Sequence, residues 1–182
     1  MKKFYALCLG TIVLATASAQ PGPAAKDSSW KKVFRESSPR INDLVHTKLD
    51  VKFDFNKAYL YGKEWLTVRP HFYPTDSIRL DAKGMDLKEV AIVKGASKAP
   101  LKYDYNGKQL TIKLDRTYLS SETYTLYFDY TSKPNELEVE GSAAITDAKG
   151  LYFINPKGEE KNKPTQIWTQ GETEANSAWM VI

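Results

Sequence analysis

A strict alternation of apolar and polar residues runs through the chain just after residue 40. From Val45 to Phe55 the odd positions carry Val, Thr, Leu and Phe, whereas the even positions carry His, Lys and Asp. Alternation with a period of two predicts a β-strand with one buried and one solvated face. The next segment, YLYGKEWLTVRPHF, has strand-forming residues and predicts a second strand, in which Gly62 marks a bulge. Pro70 and Pro74 end that strand or confine it to a sheet edge.

Shorter strand-like segments follow, separated by turn residues. SIRLDA, LKEVAIV and ETYTLYFDY have the composition of strands, and the last places four side chains on one face: Tyr124, Leu126, Phe128 and Tyr130. LKYDY and QLTIKL flank Asn106-Gly107, which predicts a β-hairpin with a type I′ turn whose two central residues have positive φ.

The pattern as a whole predicts an all-β protein. No stretch after residue 40 has apolar residues at the i, i+3, i+4, i+7 spacing of an amphipathic helix. About eight or nine short strands predict a saddle-like β-sandwich of two or more mostly antiparallel sheets. We assign this domain to residues 41–182.

Residues 1–19 have the layout of a secretory signal peptide. Two lysines precede an apolar run from Phe4 to Ala15, and Ala17-Ser18-Ala19 forms a small-residue cleavage motif. The only cysteine, Cys8, lies inside this segment, so the mature chain is expected to fold without disulfides. Residues 20–40 predict a linker followed by a short amphipathic segment. The expected location is the periplasm or the extracellular space, with no membrane contact after cleavage.

Charge and motifs exclude several classes of function. The formal net charge is only +4, with both signs interspersed, which is not the footprint of a nucleic-acid-binding protein. The sequence has neither a phosphate-binding G-x-x-x-x-G-K-[ST] loop nor a G-x-S-x-G elbow. His46 and His71 lie outside any H-E-x-x-H motif, so no metal site is predicted in this chain. Glu136, Glu138 and Glu140 predict an exposed acidic strand edge rather than a catalytic pair.

The segment IWTQGETEANSAW, residues 167–179, places polar groups directly after a strand-like run. Gly171 allows the backbone to turn, so that the side chains of Gln170 and Glu172 project together. A carboxylate beside an amide can accept hydrogen bonds from a cationic amine, the carboxylate supplying charge and the amide supplying direction. From the residues alone, the pair predicts either such a binding site or a solvated surface loop.

An ordered set of segments resembles the N-terminal domain of the aminopeptidase N type zinc metallopeptidases, the gluzincin family that includes leukotriene-hydrolysing members. The matching segments, in order along residues 44–179, are HTKLDVKFDF, YLYGKEWLTV, SIRLDAKGMDLKEV, LKYDYNGKQLTIKL, ETYTLYFDYTSKP, GLYFINPKG and IWTQGETEANSAW. The resemblance implies an all-β saddle that leans on a thermolysin-like catalytic domain. It also implies that Gln170 lines the first substrate pocket and that Glu172 holds the free α-amine of a peptide.

The implied function is substrate recognition in a secreted zinc aminopeptidase that removes N-terminal residues from peptides. The family's Gly-x-Met-Glu-Asn loop, H-E-x-x-H helix, downstream glutamate and transition-state tyrosine are absent, and AWMVI stands where the family has an aromatic-Pro and then an Asp-x-Pro turn. We therefore expect a truncated product or fragment, without catalytic residues, metal ligands or a cofactor of its own. Zinc would belong to the full-length family, and the chain alone should not hydrolyse peptides.

Two other classes of function stay open at this point. A free-standing secreted β-sandwich could bind carbohydrates or surfaces if Tyr59, Tyr61 and Trp65 stacked on sugars, although packing against neighbouring residues is the other interpretation of these rings. A glycosidase with paired carboxylates is the third hypothesis, and no spacing in the sequence supports it.

Overall fold

The computed structural model describes residues 39–138, 148–172 and 174–182. The predicted signal peptide over residues 1–19, nearly all of the predicted linker over residues 20–40, and Glu140 lie outside the described residues. No helix in the described ranges has the length and apolar character needed to cross a bilayer.

Antiparallel β-strands dominate the described part of the chain. The strands are β1 (Asn42–Asp54), β2 (Tyr59–Pro70), β3 (Thr75–Asp81), β4 (Met85–Lys94), β5 (Ser97–Pro100), β6 (Lys102–Tyr105), β7 (Gln109–Tyr118), β8 (Tyr124–Ser132), β9 (Leu151–Ile154) and β10 (Gln166–Thr169). They form a five-stranded sheet in the order β1-β2-β8-β4-β5, a three-stranded sheet β3-β7-β6, and a two-stranded sheet β10-β9. Two single 3-10 turns, Pro134–Glu136 and Ala175–Ala178, are the helical segments among these residues. The predicted all-β class with antiparallel sheets is confirmed.

The hydrophobic core lies between the five-stranded and three-stranded sheets. The inward face of β8 carries the four side chains predicted to share one face, Tyr124, Leu126, Phe128 and Tyr130, and all four are buried. The three-stranded sheet contributes Ile78, Leu80, Leu110, Ile112 and Leu114 to the same cluster. Two inner faces that share one core make a β-sandwich, and each fully buried apolar side chain stabilises it by about 1.5–3 kcal/mol.

β1 confirms the alternation from which it was predicted, with one local exception. It pairs antiparallel with β2 along its length, but the register shifts between Leu44 and His46. Val45 lies at this irregularity and is 52% exposed instead of lying on the apolar face. Pro70 is the last residue of β2, and β3 begins just after Pro74, as the two prolines predict.

The bulge predicted at Gly62 is wrong. Gly62 pairs in unbroken register with Val51 on one side and with Tyr130 on the other. A Cβ atom at this position would lie 2.4 Å from the Tyr130 ring. Glycine is therefore required because an aromatic side chain of the neighbouring strand packs directly on its Cα.

The hairpin predicted around Asn106-Gly107 is confirmed, but its turn is not the predicted one. The Asn106 amide donates to the Gln109 carbonyl, so Gly107 and Lys108 are the central residues. Of the turn residues, only Gly107 has positive φ, at 85°. Asn106 acts through its side chain: Oδ1 accepts from the amides of Lys108 and Gln109 at 2.9 and 2.7 Å. This local capping by asparagine replaces the second left-handed residue.

We expect Asn106→Ala to lower the free energy of unfolding by about 1 kcal/mol, because the turn loses two side-chain hydrogen bonds at a solvent-exposed site. Urea denaturation measures the change. Asn106→Asp keeps an acceptor at the same place and should retain most of the stability. Equal losses in the two variants would contradict this role of the side-chain oxygen.

The prediction that Glu136 belongs to an acidic stripe on a strand is also wrong. This residue ends the 3-10 turn Pro134–Glu136, and its carboxylate accepts a hydrogen bond from the Tyr59 hydroxyl. Pro134 at the first position of the turn favours this conformation over an extended strand. Glu138 is exposed and lies outside the strands.

Candidate functional site

The two-stranded sheet positions the Gln170/Glu172 pair. β9 and β10 pair from Ile154 opposite Gln166 to Leu151 opposite Thr169. The Gln170 amide then donates to the Gly150 carbonyl at 3.0 Å, which extends the pairing by one residue. The backbone of Gln170 is thereby fixed at the end of β10, and its side chain starts from a defined position.

The side chains of Gln170 and Glu172 come together at the surface. Gln170 Nε2 donates to Glu172 Oε2 at 3.0 Å. Gln170 is half-buried and Glu172 is exposed. The structure thus brings the two predicted residues into contact in a solvent-accessible position, and their predicted role in binding an amine stays a prediction.

The reason for glycine at position 171 differs from the predicted one. Gly171 is not among the residues with positive φ, so the turn does not depend on a left-handed backbone. A Cβ atom here would lie 2.5 Å from Asn176 Nδ2. The side chain of Asn176 therefore packs against the bare Cα, and it also accepts from the Trp179 indole N–H at 3.1 Å.

The residues that follow the pair are anchored to the sandwich. Lys83 makes two contacts with this segment: its amide donates to the Ser177 carbonyl at 2.7 Å, and its ammonium group lies 3.0 Å from the Glu174 carboxylate. Further along, the Ser132 hydroxyl donates to the Ala178 carbonyl at 2.7 Å, and the Tyr130 hydroxyl donates to the Trp179 carbonyl at 2.9 Å. These bonds attach the segment that follows the Gln170/Glu172 pair to the sandwich.

Glu64, which the sequence analysis did not single out, completes this anchor. Its side chain is fully buried, and Oε2 accepts from the Val181 amide at 2.9 Å, while Oε1 has no hydrogen-bond partner in the described part of the chain. Burial raises the pKa of Glu64 to about 8, and the Val181 amide opposes that effect. The alternation of β2 could have identified Glu64 as a buried residue, because Leu60, Glu64 and Leu66 fall on the same inward face.

An aromatic pair, the exposed Trp168 and the half-buried Tyr152, lies beside the candidate site. Trp168 on β10 is 57% exposed, and its ring centroid lies 5.5 Å from that of Tyr152 on β9. The two rings come from directly opposed positions of the ladder. The pair forms an apolar surface next to Gln170 that the sequence reasoning did not assign.

Tyr59, Tyr61 and Trp65, the rings considered for sugar stacking, lie on the outer face of the five-stranded sheet, where other side chains cover them. The Lys48 ammonium lies 4.9 Å from the centroid of Trp65, and the ring of Trp65 packs against Tyr127. The ammonium groups of Lys88 and Lys133 likewise lie over Tyr61 and Tyr59. All three rings are half-buried, so they do not form an open aromatic platform.

The histidines do not form a metal centre in the described part of the chain. His71 Nδ1 lies 2.8 Å from the Asp43 carboxylate, which Arg40 and Arg69 also approach. His46 is exposed on β1. No group of three or more potential metal-ligating side chains occurs among the described residues, so they do not fit a zinc site of the usual three or four ligands.

Comparison with known proteins shows which class has this fold. No family model matches the sequence, and no curated protein matches it. Solved structures of zinc metallopeptidases do match: a mutant two-domain M1 zinc metallopeptidase bound to L-arginine has a TM-score of 0.60 at 19% identity, over 81% of this chain and 30% of the other. Native yeast LTA4 hydrolase matches with a TM-score of 0.57 at 17% identity, over 85% of this chain and 24% of the other.

A further structure of leukotriene A4 hydrolase from Saccharomyces cerevisiae matches with a TM-score of 0.55 at 18% identity, over 78% of this chain and 21% of the other. The chain therefore has a fold found in M1 zinc metallopeptidases, and the resemblance predicted from the sequence is confirmed at the level of the fold. It spans less than a third of the length of each of these proteins.

Proposed function

We propose that this chain is the N-terminal substrate-recognition domain of a secreted zinc aminopeptidase, in which Gln170 and Glu172 hold the free α-amine of a peptide. The observation that carries the proposal is the contact between the two side chains at the exposed end of β10. The shared fold with M1 zinc metallopeptidases supports it. We further propose that the domain is saddle-shaped and faces a catalytic domain.

The chemistry of the pair suits a primary ammonium group. Gln170 donates through Nε2 to Glu172 Oε2, which leaves Oε1 of each side chain unused by any group in the described part of the chain. An ammonium group has three donors and no acceptor, so two acceptors on side chains in contact, one of them charged, match it. An acetylated or otherwise neutral N-terminus would lose both the charge and two of the donors.

The rest of the proposed enzyme would supply the reaction itself. A bound zinc ion polarises a peptide carbonyl and lowers the pKa of its water when the full set of ligands is present. The part played by Gln170 and Glu172 would be to fix which end of the peptide enters, because a carboxylate favours a substrate that carries an ammonium group.

We expect the purified chain to bind alanyl-alanine amide only very weakly, with a Kd above about 100 mM, because an exposed ion pair contributes only about 0.2–1 kcal/mol, whereas a Kd of 1 mM requires about 4 kcal/mol. NMR titration should shift the amide signals of Gln170, Gly171 and Glu172, and the N-acetylated peptide should leave them unchanged. Glu172→Gln should abolish the response, whereas Glu159→Gln, which alters another exposed carboxylate, should preserve it.

Equal shifts with the free and acetylated peptides would contradict amine recognition. A response that survives Glu172→Gln would contradict the role given to that carboxylate. The same preparation, supplied with zinc, should not release the leaving group of an aminoacyl reporter. Chelator-sensitive turnover would contradict the proposal that this chain recognises the substrate and that the rest of the enzyme catalyses the reaction.

A further inference from the structure

Exposed apolar side chains are concentrated at one end of the sandwich. Among the described residues, eight large apolar side chains are exposed, and two of them, Tyr103 and Trp168, lie on β6 and β10. The other six lie at the start of β1, in the β2–β3 turn and in the β7–β8 turn: Ile41, Leu44, Val45, Phe72, Tyr73 and Leu119. We call these six residues the end patch. A single exposed apolar side chain is ordinary, whereas a cluster of them marks an interaction surface.

Backbone pairing brings the three parts of the end patch together. The His71 amide donates to the Ile41 carbonyl at 2.8 Å, which joins the start of β1 to the β2–β3 turn. Thr75, just after that turn, is the pairing partner of Tyr118 at the end of β7. Leu119 is the next residue along the chain, so the β7–β8 turn lies beside the β2–β3 turn. The end patch is therefore one surface built from three neighbouring segments.

Two adjacent aromatic rings form the most exposed part of this surface. Phe72 and Tyr73 are 71% and 82% exposed, and together with Ile41 they line one cavity. Rings that project from a turn leave most of their apolar area in water, which is unfavourable. A protein partner would need a matched pocket for each ring. A lipid interface needs none, and it suits tyrosine in particular, whose ring is apolar and whose hydroxyl group stays hydrated.

The charges beside the end patch favour a negatively charged partner. The Asp43 side chain is only 12% exposed and pairs with Arg40 and Arg69, whose side chains are 68% and 48% exposed. At the β7–β8 turn, Arg116 pairs with Glu122 through two hydrogen bonds. Two further carboxylates near this end each have a lysine partner: Asp76 with Lys113, and Asp115 with Lys94. Three guanidinium groups thus accompany two carboxylates, and the excess charge is positive.

We propose that the end patch binds the surface of an anionic lipid bilayer, with Phe72 and Tyr73 inserted among the headgroups and with Arg40 and Arg69 beside lipid phosphates. Burial of the two rings would provide most of the affinity, and hydrogen bonds from guanidinium to phosphate would favour anionic lipid. The contact is peripheral and does not depend on the function proposed above. It replaces the sequence-based expectation that the chain makes no membrane contact after cleavage of the signal peptide.

Flotation with lipid vesicles tests the proposal. The protein is the chain from residue 20 onward, so that the apolar run of the predicted signal peptide cannot itself bind lipid. We expect it to bind phosphatidylcholine vesicles that contain about 30% phosphatidylglycerol, and to bind pure phosphatidylcholine about fivefold more weakly. The double variant Phe72→Ser/Tyr73→Ser should bind the anionic vesicles at least about tenfold more weakly, because two rings are no longer buried.

Trp168→Ser is the matched control, since it removes an exposed ring outside the end patch and should leave vesicle binding unchanged. Absence of flotation for the unmodified chain would overturn the proposal. Equal flotation of the unmodified chain and Phe72→Ser/Tyr73→Ser would overturn it as well. Sedimentation of the lipid-free protein completes the comparison: self-association that the double variant abolishes, without any lipid binding, would assign the surface to a second copy of the chain.

Arg40→Gln separates the contribution of charge from that of the rings. Arg69 still pairs with Asp43 in this variant, so the start of β1 keeps its ion pair. Binding to the anionic vesicles should fall about fivefold, and binding to pure phosphatidylcholine should not change. Equal losses on both kinds of vesicle would overturn the contact between this guanidinium group and anionic lipid.

Discussion

Glu64→Gln should remove a strong dependence of stability on pH. In the unmodified protein, we expect the free energy of unfolding to fall as pH rises from about 4.5 towards 8, and to level off only above that range. The variant should hold a nearly constant value over the same range, because an amide does not ionise. Urea denaturation at a series of pH values measures both curves.

The direction follows from burial of the carboxyl group. Burial raises the pKa of Glu64 from 4.5 to about 8, so the folded protein retains a proton that the unfolded chain releases. The stabilisation from the protonated group is complete below the unfolded value and is lost as pH rises through the folded value. Each pKa unit corresponds to about 1.4 kcal/mol, which sets an upper limit of about 5 kcal/mol on the loss.

Glu138→Gln is the matched control, since it removes an exposed carboxyl group and should leave the slope unchanged. Parallel curves for the unmodified protein and Glu64→Gln would rule out Glu64 as the titrating group.

Gly150→Ala should destabilise the protein by about 3 kcal/mol or more and detach the segment that follows the candidate site. Gly150 has φ of +71°, and a Cβ atom there would lie 2.0 Å from the Ala175 carbonyl oxygen. A backbone atom cannot rotate away as the end of a side chain can. Either the turn before β9 or the Ala175–Ala178 segment must therefore move, and the hydrogen bond from Gln170 to Gly150 should break with it.

Gly158→Ala provides the control for backbone strain without the clash. Gly158 has φ of +69°, but a Cβ atom there would have Thr165 Oγ1 as its nearest neighbour, 3.8 Å away. That variant should lose only about 1–2 kcal/mol, which is the ordinary effect of an L-residue in the left-handed region. Denaturant midpoints and the NMR signals of Gln170 distinguish the two variants, and equal losses would contradict the close packing at Gly150.

Much of the sandwich follows from local pattern in the sequence. Alternation in β1 and β8 predicts both strands and the inward face of β8, because a period of two leaves little choice of face once one side is buried. The hairpin at Asn106-Gly107 is predicted by its turn residues. The interpretations of the glycines at 62 and 171 are wrong, since each glycine leaves room for a side chain that packs on its Cα, Tyr130 at Gly62 and Asn176 at Gly171.

The candidate site is only partly predictable. Gln170 and Glu172 are close in sequence, so their contact at the surface can be foreseen from local geometry. The partners that hold the following segment, Lys83, Ser132 and Glu64, come from distant parts of the chain, and no local pattern points to them.

The sequence by itself determined the all-β class, the positions of the main strands and the pair at the end of β10, because these depend on alternation and on neighbours along the chain. The tertiary structure decided the strand order and the burial of Glu64 against Val181. These features arise from contacts between residues far apart in sequence, whose pairing depends on how whole sheets pack rather than on any single segment.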